Sequence, residues 1–452
     1  MVSSLLFAMV IIATDDGPLR LHPDNPSYLE FQGKPTVLIT SGEHYGAVLN
    51  LDFDHAPYLN ELRDRGLNLT RTFSGTYFEV AGSFKIVNNT LAPRAGRYIG
   101  PWPRNADGKY DLDRFGPDYF ERLKSFVRLA AERGIVVEYV LFCPFYSNDL
   151  WVVDPMNGRN NVNGVGDCPL DEVYSLKHSE LLKRQLAFTR RAVTELNPFS
   201  NVYFEICNEP YFGGVTLEWQ ARVAQEIAQT EAGLPKKHLI AQNIANGKAK
   251  VERPDPHVSI FNFHYASPPD TVPLNAGLKK VIADDETGFK GTGDAFYRRE
   301  AWEFLLSGGA IFSHLDYSFT TDHEDGKAEV RDPTPGGGGL TFRSQMGLLK
   351  RFLDQFDFIR MRPAPEVVVA GAPDRVTPRV LAQTGKQYAI YLREGGRATL
   401  TLELPAGSYV GQWIDPRDGK VLKELKVQSA GGKTTIEAPE FAEDVALSLK
   451  AE

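Results

Sequence analysis

The amino-acid sequence predicts an α/β fold, a (β/α)₈ TIM barrel followed by a small antiparallel β-sandwich. Eight short apolar segments that end in polar residues alternate with helix-period segments, which is typical of a barrel of parallel strands. After residue 362 the apolar residues instead alternate with a period of two, which is typical of antiparallel strands. The 452 residues are enough for both parts.

The eight predicted barrel strands are near-continuous apolar runs, as in strands that are buried on both faces of a parallel sheet. No glycine-rich phosphate-binding motif follows the first of them, which argues against an open doubly wound sheet. Only short helices are expected on either side of the sixth strand. The predicted strands are 36–45, 67–74, 135–143, 202–209, 238–246, 259–266, 280–288 and 309–319, and the predicted helices lie near 54–65, 118–133, 182–196, 217–230, 295–307 and 341–358.

The predicted domains are a catalytic barrel over residues 19–362 and an accessory sandwich over residues 363–452. The barrel begins with a small hairpin at 19–33, where turn residues separate two short runs. Residues 1–18 are set apart because their apolar run resembles the core of a secretion signal, although it lacks the basic start. A secreted or periplasmic location is therefore expected. A cloning remnant or an ordinary strand, with a cytoplasmic protein, is the alternative.

Composition and charge limit the class of partner. The net charge is −8 and the pI is about 5.7, which argues against nucleic acid, because nucleic-acid-binding proteins present a basic surface. No segment reaches the length of a membrane-spanning helix. Three cysteines do not make a disulfide framework, and free thiols are favoured over a bridge between Cys143 and Cys168. The sequence does not predict an oligomeric state.

Two long connections, 75–115 and 144–175, are expected to rise over the mouth of the barrel. Aromatic residues in them are candidates for stacking against sugar rings. For each single residue, packing that anchors the loop is the favoured interpretation, and Trp151 is kept as a substrate-binding candidate. These aromatic residues are Tyr77, Phe78, Trp102, Phe145, Tyr146 and Trp151.

Two carboxyl groups stand at the ends of predicted strands that face each other across a barrel. The fourth strand ends in Asn208-Glu209-Pro210, and the seventh ends in Asp284-Asp285-Glu286. Hydrolysis of a glycosidic bond uses two carboxyls on either side of the anomeric carbon, one protonated and one charged. Glu209 and Glu286 are therefore the candidate catalytic pair, and Asn208 is a candidate partner of the sugar 2-hydroxyl.

Neighbouring strands supply groups that would set the charge of these carboxyls. Arg71 ends the second strand, and His264 and Tyr265 end the sixth, beside Glu286. A tyrosine hydroxyl and a guanidinium that face Glu286 would keep it ionised as a nucleophile. A charged Glu286 would in turn raise the pKa of Glu209 and favour its role as a proton donor.

Asn208-Glu209-Pro210, His264-Tyr265, Glu286 and Arg71 together resemble the clan A glycoside hydrolases, and family 5 in particular, over about residues 19–360. The resemblance implies a retaining double displacement, with Glu209 as acid/base and Glu286 as nucleophile. It also implies a β-linked oligo- or polysaccharide as substrate and no metal or organic cofactor.

The sequence departs from this family at the end of the eighth strand, where family 5 enzymes usually carry a tryptophan platform. Here the segment contains Asp316 and Tyr317, and one of them is expected to replace the tryptophan. The C-terminal sandwich resembles the small β-domain named collagen-binding that follows some glycosidases. Collagen binding itself is not inferred from that name.

Further candidates are weighed against simpler interpretations. Glu43 and His44, at the end of the first strand, are predicted to hold substrate hydroxyls or to form loop structure. Glu205, deeper in the fourth strand, is expected to be a buried, paired residue. The acidic run Asp322–Asp325 is expected to be a solvated loop, and the glycosylation pattern at Asn68 a chance match inside a strand.

Three other functions remain open from the sequence. One is a carbohydrate-binding barrel without catalysis, and another is an adhesin whose function lies in the C-terminal domain. The third is a metal-dependent hydrolase, which the sequence disfavours because no residues have zinc-ligand spacing.

Overall fold

The structure, a computed structural model, describes residues 17–373 and 376–452. The apolar run predicted as a possible signal segment, Met1 to Ala13, lies outside the described residues. The chain begins with a three-stranded antiparallel sheet instead of the predicted two-stranded hairpin. Its strands are β1 (Arg20–Leu21), β2 (Leu29–Phe31) and β3 (Lys34–Thr36).

Eight parallel strands form the barrel, so the predicted fold class is confirmed. From the second strand to the eighth, each strand pairs with the next one along the chain, and the eighth pairs with the first. Nearly all their residues are buried, which explains the continuous apolar runs. The strands are β4 (Leu38–Gly42), β5 (Leu69–Phe73), β6 (Val136–Phe142), β7 (Val202–Cys207), β8 (Ile240–Asn246), β9 (Ile260–His264), β10 (Val281–Thr287) and β11 (Ile311–Leu315).

The barrel closes between β4 and β5 partly through a side chain. The Asn68 amide donates to the carbonyl of Val37 at 2.9 Å, and its oxygen accepts from the backbone N–H of Ile39 at 2.9 Å. Two backbone bonds complete the junction, from Asn68 to Ile39 at 3.3 Å and from Phe73 to Tyr45 at 3.0 Å. Asn68 therefore stands in for a backbone peptide group at this seam.

The helices lie between consecutive strands and bury one face, as in α2, where the predicted stripe of Tyr119, Leu123, Phe126 and Ala130 is buried. The described residues contain no helix between β8 and β9, where a short one was expected. Between β9 and β10, α6 has only five residues, in line with the short helix expected there. The helices are α1 (His55–Asp64), α2 (Pro117–Ala131), α3 (Asn148–Trp151), α4 (Ser179–Leu196), α5 (Leu217–Ala232), α6 (Thr271–Asn275), α7 (Asp294–Leu306) and α8 (Leu340–Asp354), with short 3₁₀ helices at Ser83–Lys85, Leu170–Glu172, Ala276–Leu278, Phe358–Arg360 and Pro365–Val367.

The C-terminal region forms two antiparallel sheets around a second apolar core that includes Trp413. The sequence predicted only four of its nine strands, because the others are short or carry mixed polar and apolar residues. A domain boundary at residue 363 remains a prediction. One sheet has the order β12-β14-β15-β20-β17-β18 and the other β13-β16-β19; their strands are β12 (Arg362–Pro363), β13 (Val368–Ala370), β14 (Arg379–Gln383), β15 (Gln387–Arg393), β16 (Thr399–Leu404), β17 (Gly407–Ile414), β18 (Val421–Ser429), β19 (Gly432–Glu437) and β20 (Asp444–Ala451).

The sandwich packs against α7 of the barrel. The ring of Trp302 stacks on Tyr391 with centroids 5.4 Å apart. The guanidinium of Arg298 donates two bonds to the carboxylate of Asp444, at 2.9 and 3.0 Å, and the Tyr391 hydroxyl donates a third at 2.8 Å. All four side chains are buried. The two parts therefore share an apolar and charged interface.

Several smaller predictions are answered by the structure. All three cysteines are free, so Cys143 and Cys168 do not form a bridge. In the acidic run, Asp322 is exposed and Asp325 pairs with Lys327 at 2.5 Å, as in a solvated loop. Among the residues that the structure describes, no helix has both the length and the apolar character needed to cross a bilayer.

Candidate active site

Glu209 and Glu286 meet at the carboxyl end of the barrel. Glu209 follows β7 by two residues, and Glu286 is the penultimate residue of β10. One carboxylate oxygen of each lies within 4.8 Å of the other and of a ring nitrogen of His264. Both carboxyls line the same cavity, although each residue is less than one-tenth exposed.

Three residues of the site have backbone conformations that are uncommon outside glycine. The φ angles are 35° at Glu209, 54° at Tyr265 and 59° at Tyr45. They follow the ends of their barrel strands by one to three residues, where the chain turns toward the mouth. Such strain costs free energy and persists where the surrounding structure holds it, often at functional sites.

Glu286 accepts hydrogen bonds on both oxygens. Tyr265 donates to Oε1 at 2.9 Å, and Tyr45 donates to Oε2 at 2.9 Å. The Arg71 guanidinium donates to Oε2 at 3.1 Å. These donors stabilise the ionised carboxylate and fix its orientation toward the cavity.

Glu209 is also surrounded by donors. The hydroxyl of Tyr146 lies 2.7 Å from Oε2, that of Tyr211 lies 3.0 Å from Oε1, and His264 Nδ1 lies 3.2 Å from Oε1. Burial would raise the pKa of Glu209, but the hydrogen bond and charge of His264, with the two tyrosines, lower it on balance. The sequence led us to expect the opposite direction, because it did not reveal these donors.

His264 is fully buried between acidic groups. Its Nδ1 lies 3.2 Å from Glu209 and 3.5 Å from Glu286, and its Nε2 lies 3.4 Å from Asp285 Oδ1. Burial alone would lower the pKa of His264, but the charge of Glu286 and the bonds to Asp285 and Glu209 raise it well above its usual range. These carboxyls therefore favour the protonated form of the imidazole.

Arg71 links the nucleophile candidate to a buried acidic cluster. Its guanidinium donates to Glu205 Oε2 at 2.7 and 2.9 Å and to Asn208 Oδ1 at 2.7 Å. Glu138 and Asp285 each lie 3.8 Å from Arg71 Nε. Burial raises the pKa of Glu205 to about 7, against the opposing charge of Arg71. Glu205 is thus a buried, paired residue, as expected.

The cavity above the two carboxyls has a volume of about 290 Å³. Its wall includes both tyrosines that bind Glu286 and the predicted residues His44 and Asn208. Asn208 donates from Nδ2 to the Tyr146 hydroxyl at 2.9 Å, so its amide orients a partner of Glu209. The remaining wall is largely aromatic and comes from the end of β5, the two long connections and the loops after β7 and β10: Phe73, Tyr77, Phe84, Tyr146, Phe212 and Phe289.

Trp151 and Glu43 do not reach the cavity, which corrects the prediction that they bind substrate. Trp151 is 3% exposed and donates from its indole to the carbonyl of Cys168 at 2.9 Å, so it anchors its loop. Glu43 accepts from the backbone N–H groups of Gly46 and Ala47 at 2.9 and 3.1 Å and from the Thr90 hydroxyl at 2.6 Å. Glu43 therefore links the turn after β4 to the connection between β5 and α2.

Asp316 and Tyr317 do not form the expected replacement for a tryptophan platform. Asp316 is fully buried and accepts from Arg343 Nη1 at 2.6 Å, from Ser41 at 3.1 Å and from the Gly339 N–H at 3.0 Å. Tyr317 is 4% exposed, and its ring packs 6.2 Å from that of Phe289, behind the cavity wall. Neither side chain lines the cavity.

The sequence did not identify several residues of the site. Tyr45 lies within the first predicted strand and Tyr211 two residues after Glu209, and neither has a motif of its own. Tyr146 was named only as a possible stacking platform. Glu79 and Phe84 belong to a long connection whose course the sequence does not specify. The weak signal for the tyrosines is their position at or just beyond strand ends.

Comparison with known proteins adds the fold relationship. No family model matches the chain, and no curated protein matches its sequence. Several solved structures do match over almost the whole chain. One is a glycoside hydrolase family 5 protein from Bacteroides vulgatus, with 16% identity, a TM-score of 0.67, and coverage of 96% of this chain and 94% of that one. The chain shares its fold.

Two further structures resemble this chain in the same way. A predicted glycoside hydrolase from Bacteroides vulgatus has 14% identity, a TM-score of 0.69, and coverage of 97% of this chain and 83% of its own. A third structure, named a glycoside hydrolase, has 14% identity, a TM-score of 0.63, and coverage of 96% and 97%. Since the matches extend over both the barrel and the sandwich, the pairing of the two is shared. None of these names bears on the resemblance of the sandwich to a collagen-binding domain, which remains a prediction.

Proposed function

We propose that the protein is a retaining glycoside hydrolase that cleaves a β-linked glycan, with Glu286 as nucleophile and Glu209 as general acid/base. The observation that carries the proposal is the approach of these two carboxyls within 4.8 Å across a cavity open to ligand. Retaining enzymes hold their carboxyls about 5–5.5 Å apart, whereas inverting enzymes leave about 6.5–9.5 Å for a water molecule. The shared fold of the named glycoside hydrolases supports the same conclusion.

In the first step Glu286 attacks the anomeric carbon of the bound sugar. The bond from that carbon to the leaving-group oxygen breaks, and Glu209 gives its proton to that oxygen. Arg71, Tyr45 and Tyr265 hold the attacking carboxylate in place. The product of this step is a sugar ester of Glu286 and a free alcohol.

In the second step Glu209, now a carboxylate, removes a proton from water, and the water oxygen attacks the same carbon. The ester bond breaks and the Glu286 carboxylate is restored. Two successive inversions at the anomeric carbon leave its configuration unchanged.

The first step requires a protonated Glu209, whereas the hydrogen bonds from His264 and the two tyrosines favour its carboxylate form. His264 carries the proton and lies 3.2 Å from Glu209 Oε1. Transfer of that proton to Glu209 leaves a neutral imidazole between a carboxylic acid and the Glu286 carboxylate. We assign His264 the role of holding this proton, which makes it a positioning residue for the acid.

A metal-dependent hydrolase is the second candidate, because Glu209, His264 and Glu286 present ligand atoms within 4.8 Å of one another. The Arg71 guanidinium bonded to Glu286 and a protonated His264 both oppose a divalent cation there. We therefore favour the glycosidase. Activity that is lost with a chelator and restored by a metal ion would reverse this preference.

The experiment replaces Glu286 with glycine. Turnover of aryl β-glycosides should fall on the order of 10⁴-fold or more, because the covalent intermediate no longer forms. Azide fits the vacated space and should restore turnover, and the glycosyl azide released should have inverted configuration. Product configuration is measured by NMR.

Glu209→Gly provides the matched control. With an activated aryl leaving group it should still form the ester, and azide should then give a glycosyl azide of retained configuration. Exchange of these two outcomes would exchange the two roles. If both variants keep wild-type turnover, neither carboxyl is catalytic and the proposed function is wrong.

A further inference from the structure

The cavity is closed on one side by the connection between β5 and α2. The backbone N–H of Glu79 bonds to the carbonyl of Leu91 at 2.8 Å, which ties this connection to itself. The N–H of Val87 bonds to the hydroxyl of Thr334 at 3.1 Å, which ties it to the loop after β11. The mouth of the barrel is therefore walled off beside β4, β5 and β11.

Phe84 extends this wall into a partial roof. Its ring lies 5.2 Å from that of Tyr146, which follows β6, and 6.4 Å from that of Phe289, which follows β10. The φ angle of Phe84 is 53°, an uncommon conformation for a bulky residue. The Phe84 ring therefore overhangs the cavity between Tyr146 and Phe289, while 39% of the residue remains exposed.

The opposite side of the cavity is open. Phe212 lines the cavity and is 44% exposed, and Tyr211, whose hydroxyl donates to Glu209, is 37% exposed. Asn246, at the end of β8, is also exposed and accepts from the Tyr211 hydroxyl at 2.5 Å. A chain that leaves the site past Glu209 therefore meets solvent.

This asymmetry orients a substrate. Glu209 must lie at the leaving-group oxygen and Glu286 at the anomeric carbon of the sugar under attack. The leaving group then points to the open side, and the attacked sugar occupies the closed side. Any further sugar attached to the remote hydroxyls of that residue would meet the wall of Glu79, Phe84 and Leu91.

The closed end also carries polar groups suited to hydroxyls. His44 and Glu79 line the cavity, and His44 Nε2 lies 3.5 Å from Glu79 Oε1. His44 is only 7% exposed, and neither of its ring nitrogens has a hydrogen-bond partner among the described residues. A buried polar group without a partner is costly, and a ligand hydroxyl would satisfy it.

We propose that the cavity is a blind pocket for one terminal sugar, which makes the enzyme exo-acting from the non-reducing end, with Glu79 and His44 binding the remote hydroxyls of that sugar. This inference rests on the proposed function and adds its mode of action. The volume of about 290 Å³ agrees with it, since it lies just below the range of about 300–1,000 Å³ for pockets that hold drug-sized ligands.

The first test uses p-nitrophenyl β-glycosides of glucose, galactose, mannose and xylose, each with and without a 2-fluoro substituent. Turnover of one of them, and a covalent adduct on Glu286 with its 2-fluoro form, would support the proposed function. Absence of both across the panel would overturn the proposed function and this inference with it. The responding sugar is then used in the form of β-1,3- and β-1,4-linked tetrasaccharides labelled at the reducing end.

Exo action should release single unlabelled sugars and shorten the labelled chain one unit at a time. A tetrasaccharide capped with a 4,6-benzylidene group on its non-reducing sugar should resist hydrolysis. Internal cleavage, or hydrolysis of the capped substrate at the rate of the uncapped one, would overturn the blind pocket and leave the glycosidase assignment intact.

Phe84→Ala tests the roof. The variant should cleave the capped tetrasaccharide about tenfold faster than the wild type or more, because a steric clash in a pocket discriminates by about that factor. Phe296→Ala is the matched control, since Phe296 is 37% exposed and lies on α7, outside the cavity wall. An unchanged rate in Phe84→Ala, with its fold intact by circular dichroism, would contradict the inference.

Glu79→Gln tests the hydroxyl contact. We expect kcat/KM for the aryl glycoside to fall by about 10- to 100-fold, as for the loss of a hydrogen bond to a charged group. A merely structural role would lower the rate for all substrates equally. A binding role also predicts that the variant loses the preference of the wild type for the parent sugar over its 4-deoxy and 6-deoxy forms. Retention of that preference for both deoxy sugars would remove Glu79 from the binding site.

Discussion

At the scale of the residue, two glutamates of the same type are given different surroundings. Glu286 receives two tyrosine hydroxyls and a guanidinium, whereas Glu209 receives two tyrosine hydroxyls and the imidazole of His264. The guanidinium of Arg71 stays positively charged at every working pH. An imidazole can take up or release a proton, so the carboxyl beside it is the one suited to acid/base chemistry.

His264 should therefore set the alkaline limit of activity. The charged groups that face it are Glu209, Glu286 and Asp285, with Glu205 and Asp284 acting at longer range. Together they raise its pKa above the ordinary 6.5, so the catalytic proton is kept through neutral pH and lost as the pH rises further. In His264→Gln this proton must reside on a carboxyl, whose ordinary pKa is 4.5, so the alkaline limb of kcat/KM should move to lower pH.

The measurement is the pH profile of kcat/KM on the aryl glycoside, which reports ionisations of the free enzyme. His257→Gln, at an exposed position, serves as the control and should keep the wild-type profile. An alkaline limb that does not move in His264→Gln would show that the imidazole does not hold the proton.

The meeting of Glu209 and Glu286 was predictable from sequence because two acidic motifs end strands four and seven, and the topology of the barrel brings these ends together. The tyrosines that bind them were not, since Tyr45, Tyr146 and Tyr211 reach the carboxyls through turns with no pattern of their own. The incorrect substrate contacts have the same origin. Proximity to a strand end does not reveal whether a side chain such as Asp316 points into the cavity or into the core.

At the scale of the element, every predicted barrel strand is present, and the predicted ranges exceed the observed ones by two to six residues. The excess arises because apolar residues continue into the turns that cover the barrel ends. The largest excess is at β11, where Asp316 to Phe319 continue the apolar pattern beyond Leu315 but form a turn. There the buried Asp316 gathers donors from four directions, which fixes the turn.

Asp316→Ala should destabilise the barrel without changing catalysis. Removal of the carboxylate leaves the buried guanidinium of Arg343 with Glu61 as its remaining acidic partner, and the lost bonds should lower the free energy of unfolding by about 1.5–3 kcal/mol. Urea unfolding measures this difference, and kcat/KM of the folded variant should match the wild type. Asp107→Ala, at an exposed position, is the control and should change stability by at most about 0.5 kcal/mol. A selective rise in KM would instead return Asp316 to the substrate site.

At the scale of the whole molecule, the sandwich completes one side of the barrel. Trp302 and Arg298 on α7 would be exposed to water without Tyr391 and Asp444 to cover them. The sandwich was predictable as a class from its period-two segments. Its attachment to α7 was not, because a buried arginine on a helix carries no sequence signal that names its partner.

Arg298→Ala should weaken this interface. Asp444 would remain buried without its bidentate partner, and the free energy of unfolding should fall by about 3–5 kcal/mol. Arg397→Ala is the matched control, because Arg397 pairs with Glu440 at the surface, and it should leave the melting temperature unchanged. Calorimetry compares the two variants, and equal melting temperatures would show that the interface contributes no stability. Neither residue lines the cavity, so kcat should be preserved in both variants.

The seam at Asn68 has a practical consequence for producing the protein. Asn68-Leu69-Thr70 is an acceptor sequence for N-linked glycans, and both polar atoms of the Asn68 amide are committed to the backbone of Val37 and Ile39. A eukaryotic secretory host attaches sugar to nascent chains, before the first and second barrel strands have joined. The bulky modification would then occupy the gap that must close, and the yield of folded protein would suffer. Bacterial expression avoids this competition between glycosylation and folding.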